Sequence, residues 1–393
     1  MHINSKENKE KIAIVVVGYN RQNSIRRLLA SLSQAEYPKD TDVPLVISID
    51  CSNNQELYQY VNDFEWPFGE KYVNIQTERL GLKKHILQCG DLTKYFKAIV
   101  LFEDDIYAGR YFYDYVKQAV DYYYDDDNIA QISLYNSEVN CYVNLPFSPV
   151  NNGYDAYASQ DVSTWGECWT DKMWYQFRLW LDHQSDFSLE KYDVPQPMRS
   201  WTRAWSIYFI AYILESNKYV LTPYISHSTN FGDAGEHSDT SNNFVQVNLM
   251  DGERDYSWGS FADMVKYELF YNNIDIYNWL GMTPSELSLD LYNFRKGCRH
   301  KRFVLTTAKL PYTVVKSFGL QLRPLELNIK ERIEGHGIYL YDTESEENEL
   351  KNGGHDTVFI EYLLHGFSGK ELLKYEIAKI KIFLSKRFKK IRK

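Results

Sequence analysis

The sequence predicts an α/β fold in which a mixed, largely parallel sheet is flanked by helices and followed by an α-rich C-terminal extension. Three observations carry that expectation. Ile12-Ala13-Ile14-Val15-Val16-Val17 and Ala98-Ile99-Val100-Leu101-Phe102 are short, unbroken apolar runs rich in β-branched residues, as strands buried on both faces require. Apolar residues recur at helical spacing after each run, so strand and helix alternate at the interval of βαβ units with right-handed crossovers. Each run also closes on polar residues, Gly18-Tyr19-Asn20 after the first and Glu103-Asp104-Asp105 after the other.

Taken in order, the strand at 12–17 is followed by a helix for which Ser24 is the expected cap. It carries Ile25, Leu28, Leu29 and Leu32 on one face, with Arg21, Arg26 and Arg27 near its start. A second strand over 43–49 ends at Asp50-Cys51-Ser52-Asn53. A third, over 72–76, leads through Glu78-Arg79-Leu80-Gly81-Leu82 into a helix over 83–95. The strand over 99–102 precedes a helix over 110–124, and a last strand is expected at 219–221. In such sheets ligands bind beyond the carboxyl ends of the strands, where Asn20, Asp50 and Glu103-Asp104-Asp105 all fall. Three adjacent carboxylates repel one another unless a cation sits on them. Mn²⁺ or Mg²⁺ takes oxygen ligands and often bridges to a substrate phosphate; the plainer alternative is a solvated acidic turn. No Gly-x-Gly-x-x-Gly or Gly-x-x-x-x-Gly-Lys follows a strand, which argues against a dinucleotide fold and a P-loop.

Composition sets the outer bounds. With 393 residues the chain is long enough for one large domain or two modest ones. No apolar run reaches transmembrane length, and the polar residues 1–11 do not read as a signal peptide. Five scattered cysteines without a Cys-x-x-Cys pair suit a reducing cytoplasm and suggest neither a disulfide framework nor a zinc site. The net charge of −9 is uneven: residues 370–393 hold 10 Lys/Arg against 2 acids, leaving 34 against 51 elsewhere. An acidic body argues against a nucleic-acid partner. In the tail, Leu373, Ile377, Ile380, Leu384, Phe388 and Ile391 recur at helical spacing among the cations, as in a basic amphipathic helix lying on an anionic membrane surface. A helix packed on the acidic body or on a second subunit is the alternative. Before the tail, a helix is expected over 283–294, with Thr283 as cap and Pro284 in its first turn, and segments 337–341 and 357–362 could pair as strands.

Gly18-Tyr19-Asn20-Arg21 with Ile25-Arg26-Arg27-Leu28-Leu29, then Val46-Ile47-Ser48-Ile49-Asp50-Cys51, then Val100-Leu101-Phe102-Glu103-Asp104-Asp105-Ile106 resembles the nucleotide-sugar half of the GT-A glycosyltransferases, a Rossmann-like fold. The likeness is to the N-acetylglucosaminyltransferase I (GT13-like) family and to bacterial family 2-like enzymes of polysaccharide assembly, over roughly residues 11–240. The resemblance implies that Asp105 ligates Mn²⁺ (or Mg²⁺), that Glu103 and Asp104 hold the ribose and metal-bound water, that Asp50 contacts uracil and that Arg21 approaches the nucleotide. As plain residues, Asp50 is a turn acid and Arg21 a helix-start cation. Asp161 to Trp169 is similar to the Trp-Gly segment that lines the sugar pocket, with Gly166 allowing close backbone approach and Trp165 offering a stacking face; Trp165 could equally be core.

Pro223 to Ser238 is similar to the loop that closes over the donor, and His237 would touch the pyrophosphate or the metal shell, or else be a surface histidine. Where the bacterial relatives read Trp-Asp-x-x-Trp, with the Asp as general base, this chain has Trp201-Thr202-Arg203-Ala204-Trp205. A Thr hydroxyl cannot serve as a base near neutral pH, so Asp161, Asp233 and Glu236 become the candidates. The implied protein is a UDP-sugar-dependent enzyme with no nucleic-acid partner that passes a hexose or GlcNAc with inversion to a glycan, lipid-linked or protein-linked acceptor at the inner face of the cell membrane. A catalytically silent nucleotide-sugar or glycan-binding scaffold is the alternative. The expected organisation is a catalytic domain over 1–245, an accessory region over 246–369 and the helix over 370–393.

Overall fold

The computed structural model describes residues 3–39, 41–201, 204–233, 245–295, 301–346, 357–364 and 368–391. The chain divides into two compact units, one of Met1–Leu280 with Phe294–Lys296 and one of Gly281–Asn293 with Gly297–Lys393.

In the first unit a short helix α1 (Ser5–Asn8) precedes β1 (Ile12–Gly18), α2 (Gln22–Ser33), β2 (Leu45–Ile49), α3 (Gln55–Asp63), β3 (Lys71–Ile75), α4 (Leu82–Gly90), β4 (Ala98–Glu103), β5 (Ile106–Ala108) and α5 (Phe112–Tyr123). It continues through β6 (Ile129–Ser133), the two-residue strands β7 (Val139–Asn140) and β8 (Leu145–Pro146), β9 (Ala156–Ser159), β10 (Glu167–Thr170) and α6 (Asp171–Asp182). Then come α7 (Ser206–Ser216), β11 (Tyr219–Pro223), β12 (Ser228–Asn230), β13 (Lys266–Tyr267) and α8 (Ile276–Leu280).

Nine of these strands form one sheet, in the order β13-β9-β11-β6-β10-β4-β1-β2-β3. β1 lies between β2 and β4, parallel to both and buried along its whole length, which explains its unbroken apolar run. β3 closes one edge, and its residues are only partly buried. β10 runs antiparallel between β4 and β6, so the sheet is mixed. Because β1, β2 and β4 are parallel neighbours, their carboxyl ends open on one side together. Helix α2 buries Ile25, Leu28, Leu29 and Leu32 as the periodicity predicts. Its cap position is Arg21, which makes no side-chain cap bond, and Ser24 sits inside the first turn, buried. Gly18 ends β1 where Ile25 packs down on the strand: a Cβ there would lie 2.5 Å from Ile25 Cδ1.

The second unit contains β14 (Leu287–Asp290), β15 (Phe303–Thr306), β16 (Tyr312–Phe318), α9 (Leu327–Lys330), β17 (Ile338–Glu346), α10 (Thr357–Leu363) and α11 (Gly369–Ile391). Its strands form a sheet in the order β14-β15-β17-β16, over a small cluster that includes Val304, Leu310 and Tyr341. Three expectations are corrected here. The segment 283–294 is no helix: Leu287-Ser288-Leu289-Asp290 is a buried strand parallel to β15, and pairing outweighs the cap signal of Thr283-Pro284. Segment 357–362 is helical, and β17 pairs with β15 and β16 instead. The compact division does not fall at 245, because β13 adds to the edge of the large sheet beside β9 and keeps the chain to residue 280 in the first unit.

Helix α11 covers most of the basic tail, and Leu373, Ile377, Ile380 and Leu384 are all exposed on it. Among the described residues no helix is long and apolar enough to cross a membrane.

Candidate active site

The ends of β1, β2 and β4 border a crevice of about 1120 Å³ whose lining includes Arg21, Asp50, Glu103, Asp104, Asp105 and Trp165. The sequence-predicted cluster is therefore brought together. Each member has a distinct setting.

Asp50 is buried at the end of β2. Its Oδ1 accepts the backbone N–H groups of Cys51 (2.9 Å) and Leu80 (2.8 Å), and its Oδ2 that of Gly81 (3.0 Å). The carboxylate thus ties the segment after β3 to the end of β2 and shapes that wall of the crevice. His85, on α4, lines the same wall with Nε2 2.7 Å from Ser48 Oγ. Burial pushes its pKa down to about 4, against the pull of Asp50, so the ring is neutral.

Asp104 and Asp105 form the turn between β4 and β5. β5 pairs antiparallel with β12, and the Phe231 N–H donates to the Asp105 carbonyl at 2.9 Å, so the turn is braced from behind. Arg21 reaches both acids: one guanidinium nitrogen contacts Asp104, and Nη1 lies 3.0 Å from Asp105 Oδ2. Burial works against the Arg21 charge, but the two carboxylates outweigh it and hold the guanidinium charged more firmly than usual. Asp104 is buried and its pKa rises to about 6, with Arg21 opposing the rise.

Glu103 rises further, to about 8, through burial and then the charges of Asp105 and Asp104, so it carries a proton near neutral pH. Beside it on β10 lies Glu167, fully buried, whose carboxyl is pushed well above the usual range by burial with Glu103 adding to the effect. The sequence reading passed over Glu167 and His85. Nothing in their local sequence marks either as lying beneath or beside a crevice.

The donor set suits a hard cation. Among the described residues no group of three His, Cys, Asp or Glu side chains is arranged to hold a metal alone. Two carboxylates on one turn, facing an open crevice, fit an ion that completes its shell from a diphosphate and water.

The remaining predicted residues are spread more widely. Gly166 has φ of +101°, and a Cβ there would lie 2.7 Å from Ser228 Oγ, so a close approach does require glycine. Trp165 packs edge-on against Tyr135 at 4.7 Å and lines both the crevice and a side pocket of about 210 Å³. The two cavities also share Thr164, Trp201, Ser206 and Val245. Asp161 lies in the side pocket: Tyr142 donates to Oδ1 at 2.8 Å and Tyr271 to Oδ2 at 2.5 Å. Burial raises its pKa and the two phenols work against the rise.

Asp233 is placed differently. It accepts from Ser24 Oγ at 2.7 Å and pairs with Arg27; against the effect of burial these partners hold its carboxyl below the usual range, so it is poorly suited to be a base. Glu236, His237 and Thr202 lie outside the described residues. His227, in the same loop segment, is core: it stacks on Tyr115 at 4.2 Å and burial drives its pKa down to about 3.

No family model matches the chain, and no curated protein matches it in sequence. Among solved structures, it is similar to residues 1–349 of S. aureus TarS in complex with UDP, at 18% identity over 54% of this chain and 58% of that one, with a TM-score of 0.34. It is also similar to a mannosyltransferase from Pyrobaculum calidifontis in complex with GDP-Man and Mn²⁺, at 14% identity over 56% of each chain and a TM-score of 0.34. GalNAc-T7 with UDP, GalNAc and Mn²⁺ matches at 14% identity over 56% of this chain and 44% of that one, with a TM-score of 0.39. The chain thus spans less than two thirds of each of these neighbours, and at such identities and scores the likeness bears no weight on family or function.

Proposed function

We propose that this protein is a GT-A-type glycosyltransferase that moves a sugar from a UDP-sugar to a hydroxyl of a bacterial surface glycan or glycoconjugate, with inversion and with a divalent metal. One observation carries the proposal: Arg21, Asp50 and Glu103-Asp104-Asp105, taken from the ends of three strands, line one crevice. The sequence resemblance supplies the donor class and the stereochemistry.

In this reading the nucleoside lies against the wall that Asp50 and His85 build, and the diphosphate lies near Arg21 and the acid turn. Asp105 and Asp104 would hold the cation, which when bound supplies charge stabilisation to the departing diphosphate. Arg21 adds a permanent positive charge for the same developing anion. Trp165 forms part of the wall shared with the side pocket, and Gly166, next to it in the chain, lets the backbone pass close to Ser228. From that pocket Asp161 takes the acceptor hydroxyl's proton, its raised pKa bringing it closer to the range a general base needs. The exposed apolar side of α11, among its lysines, rests on an anionic membrane at its cytoplasmic face, where lipid-linked acceptors are presented.

Thermal unfolding against a panel of nucleotide sugars, each with and without Mn²⁺, tests this. A bound donor at about a hundred times its Kd adds roughly 2.7 kcal/mol of stability. A metal-dependent shift with one UDP-sugar supports the proposal, and no shift with any donor overturns it. The second reading, a silent scaffold, is favoured by Thr202 standing where a base would. Purified protein that transfers sugar, and stops on Asp161→Asn, dismisses it.

A further inference from the structure

We infer that Arg21 is the resident counter-ion of the acid turn, that it excludes a divalent cation until a nucleoside diphosphate draws it away, and that metal and nucleotide therefore bind with positive coupling. This rests on the functional reading above, in which Asp104 and Asp105 are the cation's ligands.

The geometry carries it. Arg21 spans the two carboxylates, one guanidinium nitrogen to each, and its side chain is 28% exposed while those of Asp104 and Asp105 are 7% and 16%. A cation held by these oxygens would stand within a few ångströms of the guanidinium. The two positive charges compete for the same lone pairs and repel one another in a partly dry site. Arg21 also stands at the cap of α2, where the helix dipole disfavours a cation, so the acids are what hold it there. Its other polar neighbour, the Asp233 carbonyl at 3.5 Å, is a weak one.

A diphosphate changes the balance. Its oxygens match the guanidinium fork as well as the carboxylates do and carry more charge. Arg21 then turns from the acids to the phosphates, and Asp104 and Asp105 become free to take the ion, whose remaining ligands the same phosphates supply. Each partner strengthens the other, by the same factor in both directions. Metal alone should bind weakly, and nucleotide without metal should leave two carboxylates without a counter-ion.

The test is Mn²⁺ binding followed by the paramagnetic resonance signal of the free ion, for the full chain as wild type, Arg21→Met and Arg21→Lys, with and without UDP. For the wild type we expect weak binding of Mn²⁺ alone and at least about tenfold tighter binding with UDP, within the usual range of such couplings. Arg21→Met should bind Mn²⁺ alone about tenfold tighter than wild type and gain less from UDP than wild type does, because the phosphates still ligate the ion but no longer have a guanidinium to draw away. Arg21→Lys, whose single ammonium cannot engage both acids squarely, should fall between, and it carries the test if Arg21→Met does not fold. Equal Mn²⁺ affinity in wild type and both variants, or a wild-type affinity that UDP leaves unchanged, overturns the inference alone. Mn²⁺ that binds none of them, with or without UDP, overturns it together with the metal part of the proposed function.

Discussion

Two acidic centres share one wall of the first unit, and they are compensated in opposite ways. At the strand ends Asp104 and Asp105 are balanced by a full positive charge, Arg21, at an open crevice. In the side pocket Asp161 is met instead by neutral donors, the phenols of Tyr142 and Tyr271 and the Val162 backbone N–H. A cation can be exchanged for another cation, so the first centre is suited to ion and phosphate traffic. Phenol hydrogen bonds hold a carboxylate in place while leaving its pKa raised, so the second is suited to taking a proton. Charge count alone would have treated the two centres as equivalent.

The contrast is sharpest if each acid is neutralised in turn. Asp161→Asn should lower the transfer rate by about 10²–10⁴, the usual contribution of a general base, while the thermal shift produced by donor and Mn²⁺ persists. Asp105→Asn should do the reverse in binding, abolishing the metal-dependent shift and lowering transfer by about 10²–10³. A donor shift lost in Asp161→Asn, or kept in Asp105→Asn, would erase the distinction between the centres.

Two smaller effects refine it. Tyr271→Phe removes a hydrogen bond that favours the ionised Asp161, so the acid limb of the pH–rate profile should move to higher pH. Gly166→Ala forces a side chain into φ of +101° and against Ser228, and should lower stability by about 1–3 kcal/mol by equilibrium unfolding. Away from both centres, His227 is neutral when folded, with a pKa near 3, and takes a proton when unfolded below its ordinary 6.5. The unfolded state then binds more protons across that window, so stability falls as the pH drops through it. His227→Phe should flatten the fall by about 1–2 kcal/mol between about pH 6.5 and 4, measured by denaturant unfolding.

How much of this was legible in the chain depends on the range of the forces involved. β1 and β4 were readable because a strand buried on both faces must be apolar throughout, and the run Glu103-Asp104-Asp105 because its own repulsion advertises a need for a counter-ion. That the counter-ion is Arg21 was not readable, since 83 and 84 residues separate the partners. Glu167 was missed because an acid in a strand usually faces water, and only its neighbours in the sheet show that this one does not. The misreading of 283–294 has the same origin: Thr283-Pro284 is a local helix signal, whereas the pairing of β14 with β15 is not local. Of the candidate bases, only the fold could show that Asp233 is tied to Arg27 and Ser24 and that Asp161 faces a pocket.

The bracing of the acid turn bears on how the protein comes to life. Asp105 is held through its carboxylate by Arg21 and through its backbone by Phe231, and Arg21 reaches on to Asp233 across 212 residues of chain. Contacts of such separation carry a large loop-closure cost and are met only once most of the intervening chain is in place. An excised peptide bearing the three acids would have charge and no clamp, and would bind cations indiscriminately. The charge balance of this turn is thus acquired with the fold itself, and under the proposed function the metal site would be complete only once these distant segments have met.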